Sequence, residues 1–174
     1  MQDRGRFQLI VIFAVAVVSL AGAYLLFAGA RSFGVWDTTN RGEFVDPPLA
    51  AEQLGLVDDH GQPFETQGRW WVWVVASEGC GASCASAMLA TRQLRVLLHK
   101  DSDRVRSGLL VQGAVTPPQG DSSVRLFFRE AGLLTDGAYI VDPLGNLVLR
   151  YTYGDVGKPM LDDLKRLLKI SQIG

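Results

Sequence analysis

The amino-acid sequence predicts an α/β sandwich with a central mixed sheet, preceded by a single N-terminal transmembrane helix. Three observations predict it: an uncharged apolar segment near the N-terminus, a buried strand that leads through a polar loop into a helix, and a later succession of strand and helix patterns. The 174 residues suffice for one globular domain with an N-terminal appendage. A net charge of −1 gives no basic footprint, so nucleic acid is not an expected partner.

The N-terminal segment predicts a membrane anchor. The stretch from Leu9 to Ala28 supplies the roughly 20 apolar residues that a helix needs to cross a bilayer. A cleaved signal peptide is the alternative, but its apolar region usually has only about 7–15 residues. We expect Leu9 to Ala28 to remain as an uncleaved anchor, so that residues 1–31 comprise the N-terminal tail and the transmembrane helix. A short N-terminal tail and a long polar domain predict a single-pass protein of the cell (inner) membrane, with a cytoplasmic N-terminus and an extracytoplasmic, periplasmic domain.

The chain beyond the anchor divides into a connection and a domain. Residues 32–52 predict an extracytoplasmic tether, because their glycine and proline residues are typical of an extended connection. The globular domain then occupies residues 53–174. It begins with a predicted hairpin over residues 54–64, in which Asp58 and Asp59 serve turn formation rather than catalysis.

The domain is organised around a strand that ends close to two cysteines. Residues 70–76 predict a buried strand, a short turn follows, and Cys80 and Cys84 lie where a helix begins. The positive end of a helix favours a thiolate over a thiol. Residues four apart on a regular helix have Cβ atoms about 5–6 Å apart, more than the roughly 3.5–4.5 Å of a disulfide. We therefore expect Cys80 to precede the helix as the more exposed and more reactive thiol; the alternative is two buried structural cysteines.

The patterns after the cysteines complete a thioredoxin-like order of elements. They predict a helix over residues 85–99, a strand over 105–113, a helix over 122–131, a hairpin of strands over 138–141 and 147–153, and a helix that starts at Pro159. The core-facing side chains of the first helix are predicted to be Ala87, Ala90, Leu94, Leu97 and Leu98. The thioredoxin-like sandwich carries its active site where this chain has its cysteines.

Three stretches of the sequence resemble the Sco/SenC family. They are Cys80-Gly-Ala-Ser-Cys84, the hairpin with Gly61 and Pro63, and Tyr139-Ile-Val-Asp142-Pro143-Leu-Gly145. Members of that family are membrane-anchored, thioredoxin-like factors that help to assemble the copper centre of cytochrome c oxidase. The resemblance implies that Cys80 and Cys84 are copper ligands or redox thiols. It also implies a cytochrome c oxidase subunit, or another copper-assembly factor, as the partner. Such a protein is a metallochaperone or thiol–disulfide assembly factor more than a turnover enzyme.

The sequence departs from the family pattern in two places. The family's third copper ligand is a histidine, and counting back without gaps from Pro143 places Leu134 at that position. Gly81 stands where a proline usually follows the first cysteine. Two thiolates alone suit Cu(I), whereas Cu(II) prefers nitrogen and oxygen donors. We therefore expect Cu(I) to be the copper form that Cys80 and Cys84 bind.

Three other side chains are weaker candidates for copper ligands. His60 and His99 are expected in a solvated turn and near a helix end, although the hairpin could bring His60 towards the cysteines. Met88 follows Cys84 by one helical turn and carries a soft sulfur, but a methionine there more often packs in the core.

The residues leave three functions open. The first is an assembly factor that handles Cu(I) or reduces the cysteines of an oxidase subunit to thiols. The second is a general thiol–disulfide oxidoreductase, for which a CxxC spacing is more usual than CxxxC. The third is a non-catalytic thioredoxin-like scaffold module. The two cysteines favour the first function, and the departure at Leu134 favours the third.

Overall fold

The computed structural model describes residues 2–32, 39–58, 60–77, 79–111, 124–127 and 134–171. The chain divides into two compact units, Met1–Thr39 and Asn40–Gly174. The first unit contains the helix α1 (Gln2–Ser32). The second unit is the α/β domain.

The helix α1 matches the expected N-terminal span. Its segment Arg4–Gly29, 26 residues, is long and apolar enough to cross a membrane, judged by length and composition. Large apolar side chains point outward along it, as at Phe13 and Leu26. Apolar residues on every side are typical of a helix surrounded by lipid, whereas a helix on a protein core has one apolar stripe.

The domain is built on a mixed sheet that has seven strands in the described part of the chain. The strands are β1 (Glu43–Ala50), β2 (Val57–Asp58), β3 (Trp70–Ala76), β4 (Val105–Val111), β5 (Val124–Phe127), β6 (Gly137–Val141) and β7 (Asn146–Tyr151). Their spatial order is β1-β7-β6-β3-β4-β5-β2. β3 pairs parallel with β4 and antiparallel with β6. This central place explains why the strand that leads to the cysteines is apolar throughout.

The two faces of the sheet carry separate cores. On one face, Val72 and Val74 of β3 pack in the same cluster as side chains of α2 (Ala82–Leu97) and α3 (Lys158–Ile170). On the other face, Trp71 and Trp73 pack in a second cluster. Phe64 meets these two rings edge-on, with ring centroids 5.0 and 5.2 Å away. The predicted α/β architecture with a central mixed sheet is confirmed.

Two stretches form strands that were not predicted from the sequence. Val124–Phe127, within the predicted helix over residues 122–131, forms β5 and pairs parallel with β4; the rest of that stretch lies outside the described residues. Short apolar runs do not distinguish helix from strand. Glu43–Ala50, within the predicted tether, forms β1 and pairs with β7. Its prolines are tolerated because β1 is an edge strand, where an amide N–H need not join the ladder.

The helix α2 presents a slightly different face to the core than predicted. It starts at Ala82, and its buried residues are Cys84, Ala87, Met88, Thr91 and Leu94. Leu97, expected in the core, is 46 % exposed. The core stripe starts at Cys84, so it includes Met88 and reaches Leu98 without Leu97.

A buried carboxylate fixes the beginning of the domain to α3. Asp163 accepts hydrogen bonds from the backbone N–H groups of Arg41 and Gly42, at 2.6 and 3.0 Å, and from the Tyr151 hydroxyl at 2.9 Å. Burial, followed by the hydrogen bond to Asp163, raises the pKa of Tyr151 above its usual range. The Tyr151 hydroxyl therefore remains a donor at neutral pH.

Candidate thiol–disulfide site

The two cysteines are joined in a disulfide at the start of α2. Cys80 and Cys84 have Cα atoms 5.1 Å apart. Cys80 lies beyond the end of β3 and before Gly81, the N-cap residue of α2, whereas Cys84 lies in the first turn of the helix. The expectation that Cys80 precedes the helix is confirmed. Because Cys80 lies in the loop, its Cβ atom can lie closer to that of Cys84 than a regular helix would allow.

The two sulfur-bearing residues differ in their surroundings. Cys84 is 2 % exposed and belongs to the cluster that holds Met88 and the β3 residues Val72, Val74 and Ala76. Cys80 is half-buried against the edge of the same cluster. An external thiol or disulfide therefore meets Cys80 more readily than Cys84. Such asymmetry suits one thiol that exchanges with a partner and a second that closes the pair.

The loop before Cys80 is held from two sides. The backbone N–H and the hydroxyl of Ser77 both donate to Oδ1 of Asp136, at 2.9 and 2.8 Å. The Tyr153 hydroxyl donates to the carbonyl oxygen of Val75, within the last residues of β3. Gly79 has a φ of 107°, a conformation that side chains with a Cβ rarely adopt. Specific contacts thus hold the chain at Val75 and Ser77, close before Cys80.

The electrostatic surroundings of the site favour a protonated hydroxyl on Tyr153 and a deprotonated thiol at the start of α2. Burial, then the charge of Asp136, raises the pKa of Tyr153 to about 12, so its hydroxyl remains a donor at neutral pH. The first turn of α2 contains no acidic residue, and Gly81 provides no side-chain cap. The backbone N–H groups at the start of this helix carry partial positive charge, which favours a thiolate on a nearby cysteine.

The structure places His60 in a turn and Met88 in the same core cluster as Cys84. Among the described residues, no group of three or more His, Cys, Asp or Glu side chains forms a metal site, so His60 does not complete one with the cysteines. His60 lies in the turn after β2, where its N–H donates to Asp58. Met88 is buried as a core residue. In the reduced state two thiols remain, a donor set that fits Cu(I) and not Cu(II).

Leu134 and Asp136 lie close together in sequence but in different surroundings. Leu134 is buried in the cluster that contains Trp71 and Trp73, on the sheet face opposite that of Cys84. Asp136 is the side chain that reaches the loop before Cys80. Neither Asp136 nor Tyr153 was predicted from the sequence to be a site residue. The available signal was an Asp-Gly pair at the start of β6, the strand that pairs antiparallel with β3.

A central strand that leads into a cysteine pair at a helix start, on a mixed sheet, defines a thioredoxin-like protein with a disulfide-capable site. The family described as transmembrane-like, thioredoxin-like, C-terminal domain matches residues 70–171, more than half of the chain. The chain belongs to this family. Its fold is therefore a thioredoxin-like α/β sandwich, and an apolar N-terminal helix precedes it.

Several solved structures are similar to this chain at low sequence identity. The apo Sco1 protein from Thermus thermophilus is 16% identical over 75% of this chain and 96% of that chain, with a TM-score of 0.49. Copper-bound ScoI from Arabidopsis thaliana is 12% identical, covers 72% and 98%, and has a TM-score of 0.43. The thioredoxin domain of a thiol-disulfide oxidoreductase from Bacteroides vulgatus is 11% identical, covers 72% and 96%, and has a TM-score of 0.44. No curated protein matches the sequence.

Proposed function

We propose that the chain is a membrane-anchored thiol–disulfide factor that prepares the cysteines of a cytochrome c oxidase subunit for copper. The observation that carries this proposal is the asymmetric disulfide: Cys80 is half-buried in the loop before α2, and Cys84 is buried behind it. The resemblance to the Sco/SenC family supports the choice of client. The apolar helix α1 supports a location at the membrane. We place the domain on the periplasmic side because a short N-terminal tail and a long polar domain favour that orientation.

The proposed reaction transfers two electrons from the reduced pair to a client disulfide. The Cys80 thiolate attacks one client sulfur, forms a mixed disulfide and releases the other client sulfur as a thiolate. Cys84 then loses its proton and attacks the sulfur of Cys80. The Cys80–Cys84 disulfide forms, and the client sulfur that was bound to Cys80 leaves as a thiolate. Both client sulfurs are then protonated. A dithiol reductant on the periplasmic side restores the pair for another cycle.

The same two sulfurs supply the proposed copper chemistry. When reduced, Cys80 and Cys84 offer two soft donors to Cu(I) as cargo, which accepts sites of low coordination number. Transfer to a client then requires only exchange of one thiolate for another. Oxidation to the disulfide removes both donors. Thiol exchange and Cu(I) binding are therefore alternative states of one site.

A trapping experiment tests the proposed exchange. The full chain with Cys84→Ser, in detergent, is mixed with a purified copper-binding oxidase subunit whose cysteines have been oxidised to a disulfide. We expect a mixed disulfide through Cys80 to accumulate, because the thiol that would resolve it is missing. A reductant should cleave it. The matched variant Cys80→Ser should form none.

Two outcomes would contradict the proposal in different ways. Equal trapping of an unrelated disulfide-bonded protein would indicate a general thiol–disulfide oxidoreductase. No trapping of either protein, in a folded variant with an intact Cys80 thiol, would favour the non-catalytic scaffold module.

A further inference from the structure

The contact between Asp136 and Ser77 joins the loop after β3 to the residue before β6, at the cysteine end of β3. Ser77 follows the last residue of β3 and lies three positions before Cys80, whereas Asp136 precedes β6. One carboxylate oxygen receives both the backbone N–H and the hydroxyl of Ser77, at 2.9 and 2.8 Å. Both distances are those of well-formed hydrogen bonds. A charged acceptor strengthens them.

The neighbouring contacts place Asp136 beside the same end of the core as the cysteines. Val75 pairs with Gly137, the residue after Asp136. The Tyr153 hydroxyl binds the carbonyl of Val75, and the charge of Asp136 is one cause of the raised pKa of Tyr153. Tyr153 and Cys80 both pack against the cluster that contains Cys84. The carboxylate thus belongs to the surroundings of the disulfide, although it is not a ligand or a nucleophile.

We propose that Asp136 is a positioning residue, which holds the loop at Ser77 so that Cys80 stays within reach of Cys84. The inference rests on the proposed exchange function and deepens it. In the reduced protein, a loose loop samples many conformations, and closing the disulfide must overcome that freedom. A loop fixed at Ser77 has less freedom to lose. Asp136 therefore favours the disulfide over the two thiols.

The test measures the equilibrium between the Cys80–Cys84 disulfide and the two free thiols. The full chain in detergent is equilibrated with mixtures of reduced and oxidised glutathione, and the fraction of the Cys80–Cys84 disulfide is read by alkylation and mass spectrometry. For Asp136→Ala we expect about a tenfold fall in the equilibrium constant for closure, which is a rise of about 30 mV in the reduction potential. Asp136→Asn keeps the oxygen acceptor and should stay within about threefold of wild type.

Two further variants separate positioning from general damage. Ser77→Ala removes the hydroxyl bond but keeps the backbone bond, so its shift should have the same direction and a smaller size. Asp142→Ala is the matched control, because Asp142 accepts from Leu144 and Asn146 in the β6–β7 turn, at the other end of β6. It should leave the potential unchanged. Far-UV circular dichroism verifies that each variant is folded.

Each contrary outcome overturns a defined statement. If Asp136→Ala closes as readily as wild type, or shifts no more than Asp142→Ala, the positioning role is wrong. If Asp136→Asn behaves like Asp136→Ala, charge rather than the hydrogen-bonded loop controls closure, and the role is likewise wrong. If the wild-type pair does not exchange with glutathione at all, the proposed function fails together with the role of Asp136.

Discussion

At the scale of single residues, the chemistry of the site depends on where two identical side chains lie. Cys80 is half-buried before the helix, and Cys84 is buried within its first turn. The sequence predicted this difference, because the spacing of four residues can close a disulfide only if one cysteine leaves the regular helix. It could not predict Asp136 and Tyr153, whose contacts with Ser77 and Val75 join residues more than fifty positions apart.

Copper titration tests the donor set at this scale. The reduced full chain should bind one Cu(I), and either Cys80→Ser or Cys84→Ser should abolish that binding, because one thiolate is a poor site. Binding of Cu(II) should be weak or absent. Met88→Leu is the control and should bind Cu(I) as wild type does.

Other results would change the copper assignment. Tight Cu(II) binding with a thiolate charge-transfer band would mean that a further ligand contributes, and His60→Ala would be the first variant to examine. Failure to bind copper in either oxidation state would leave thiol exchange as the function of the pair.

At the scale of elements, the sequence predicted best those segments whose burial is continuous or periodic. The strand β3 matches its predicted bounds, and α3 buries Leu161, Leu164 and Leu168 as expected. The strands β1 and β5 were missed for physical reasons. β1 contains two prolines that only an edge position accommodates, and β5 is four residues long, too short to show a period.

The attachment of the first residues of the domain to α3 can be tested by Asp163→Ala. This change leaves the N–H groups of Arg41 and Gly42 and the Tyr151 hydroxyl without their acceptor. Gly42 and Tyr151 are buried, whereas Arg41 lies at the surface. Buried donors without partners cost about 1–3 kcal/mol each, so we expect a loss of roughly 2 kcal/mol or more in the free energy of unfolding. Urea unfolding of the full chain in detergent, followed by tryptophan fluorescence, measures it.

The adjacent exposed carboxylate provides the control for this prediction. Asp162 lies on the solvent side of α3, and Asp162→Ala should change the free energy of unfolding by less than about 0.5 kcal/mol. Equal effects of the two substitutions would show that Asp163 does not fix the start of the domain.

At the scale of the whole molecule, an apolar N-terminal helix and a thioredoxin-like domain occur in one chain. The length and uniform apolarity of the helix were readable from the sequence alone, because a bilayer imposes both. The fold of the domain was readable from the order of its elements and from the place of the cysteines. The client was not readable in this way, since it depends on a surface that recognises another protein and not on the fold.

We propose that Cys80 is the reactive thiol of a periplasmic exchange site on an anchored chain. Thiol labelling in spheroplasts that contain the full chain tests it most directly. After mild reduction, a membrane-impermeant maleimide is added, with a permeant maleimide as control. The masses of the intact protein and of its peptides are measured by mass spectrometry. We predict that the impermeant reagent labels Cys80 well before Cys84, on a protein that retains residues 1–31. Labelling by the permeant reagent alone, faster labelling of Cys84, or no labelling until the protein unfolds would contradict the claim.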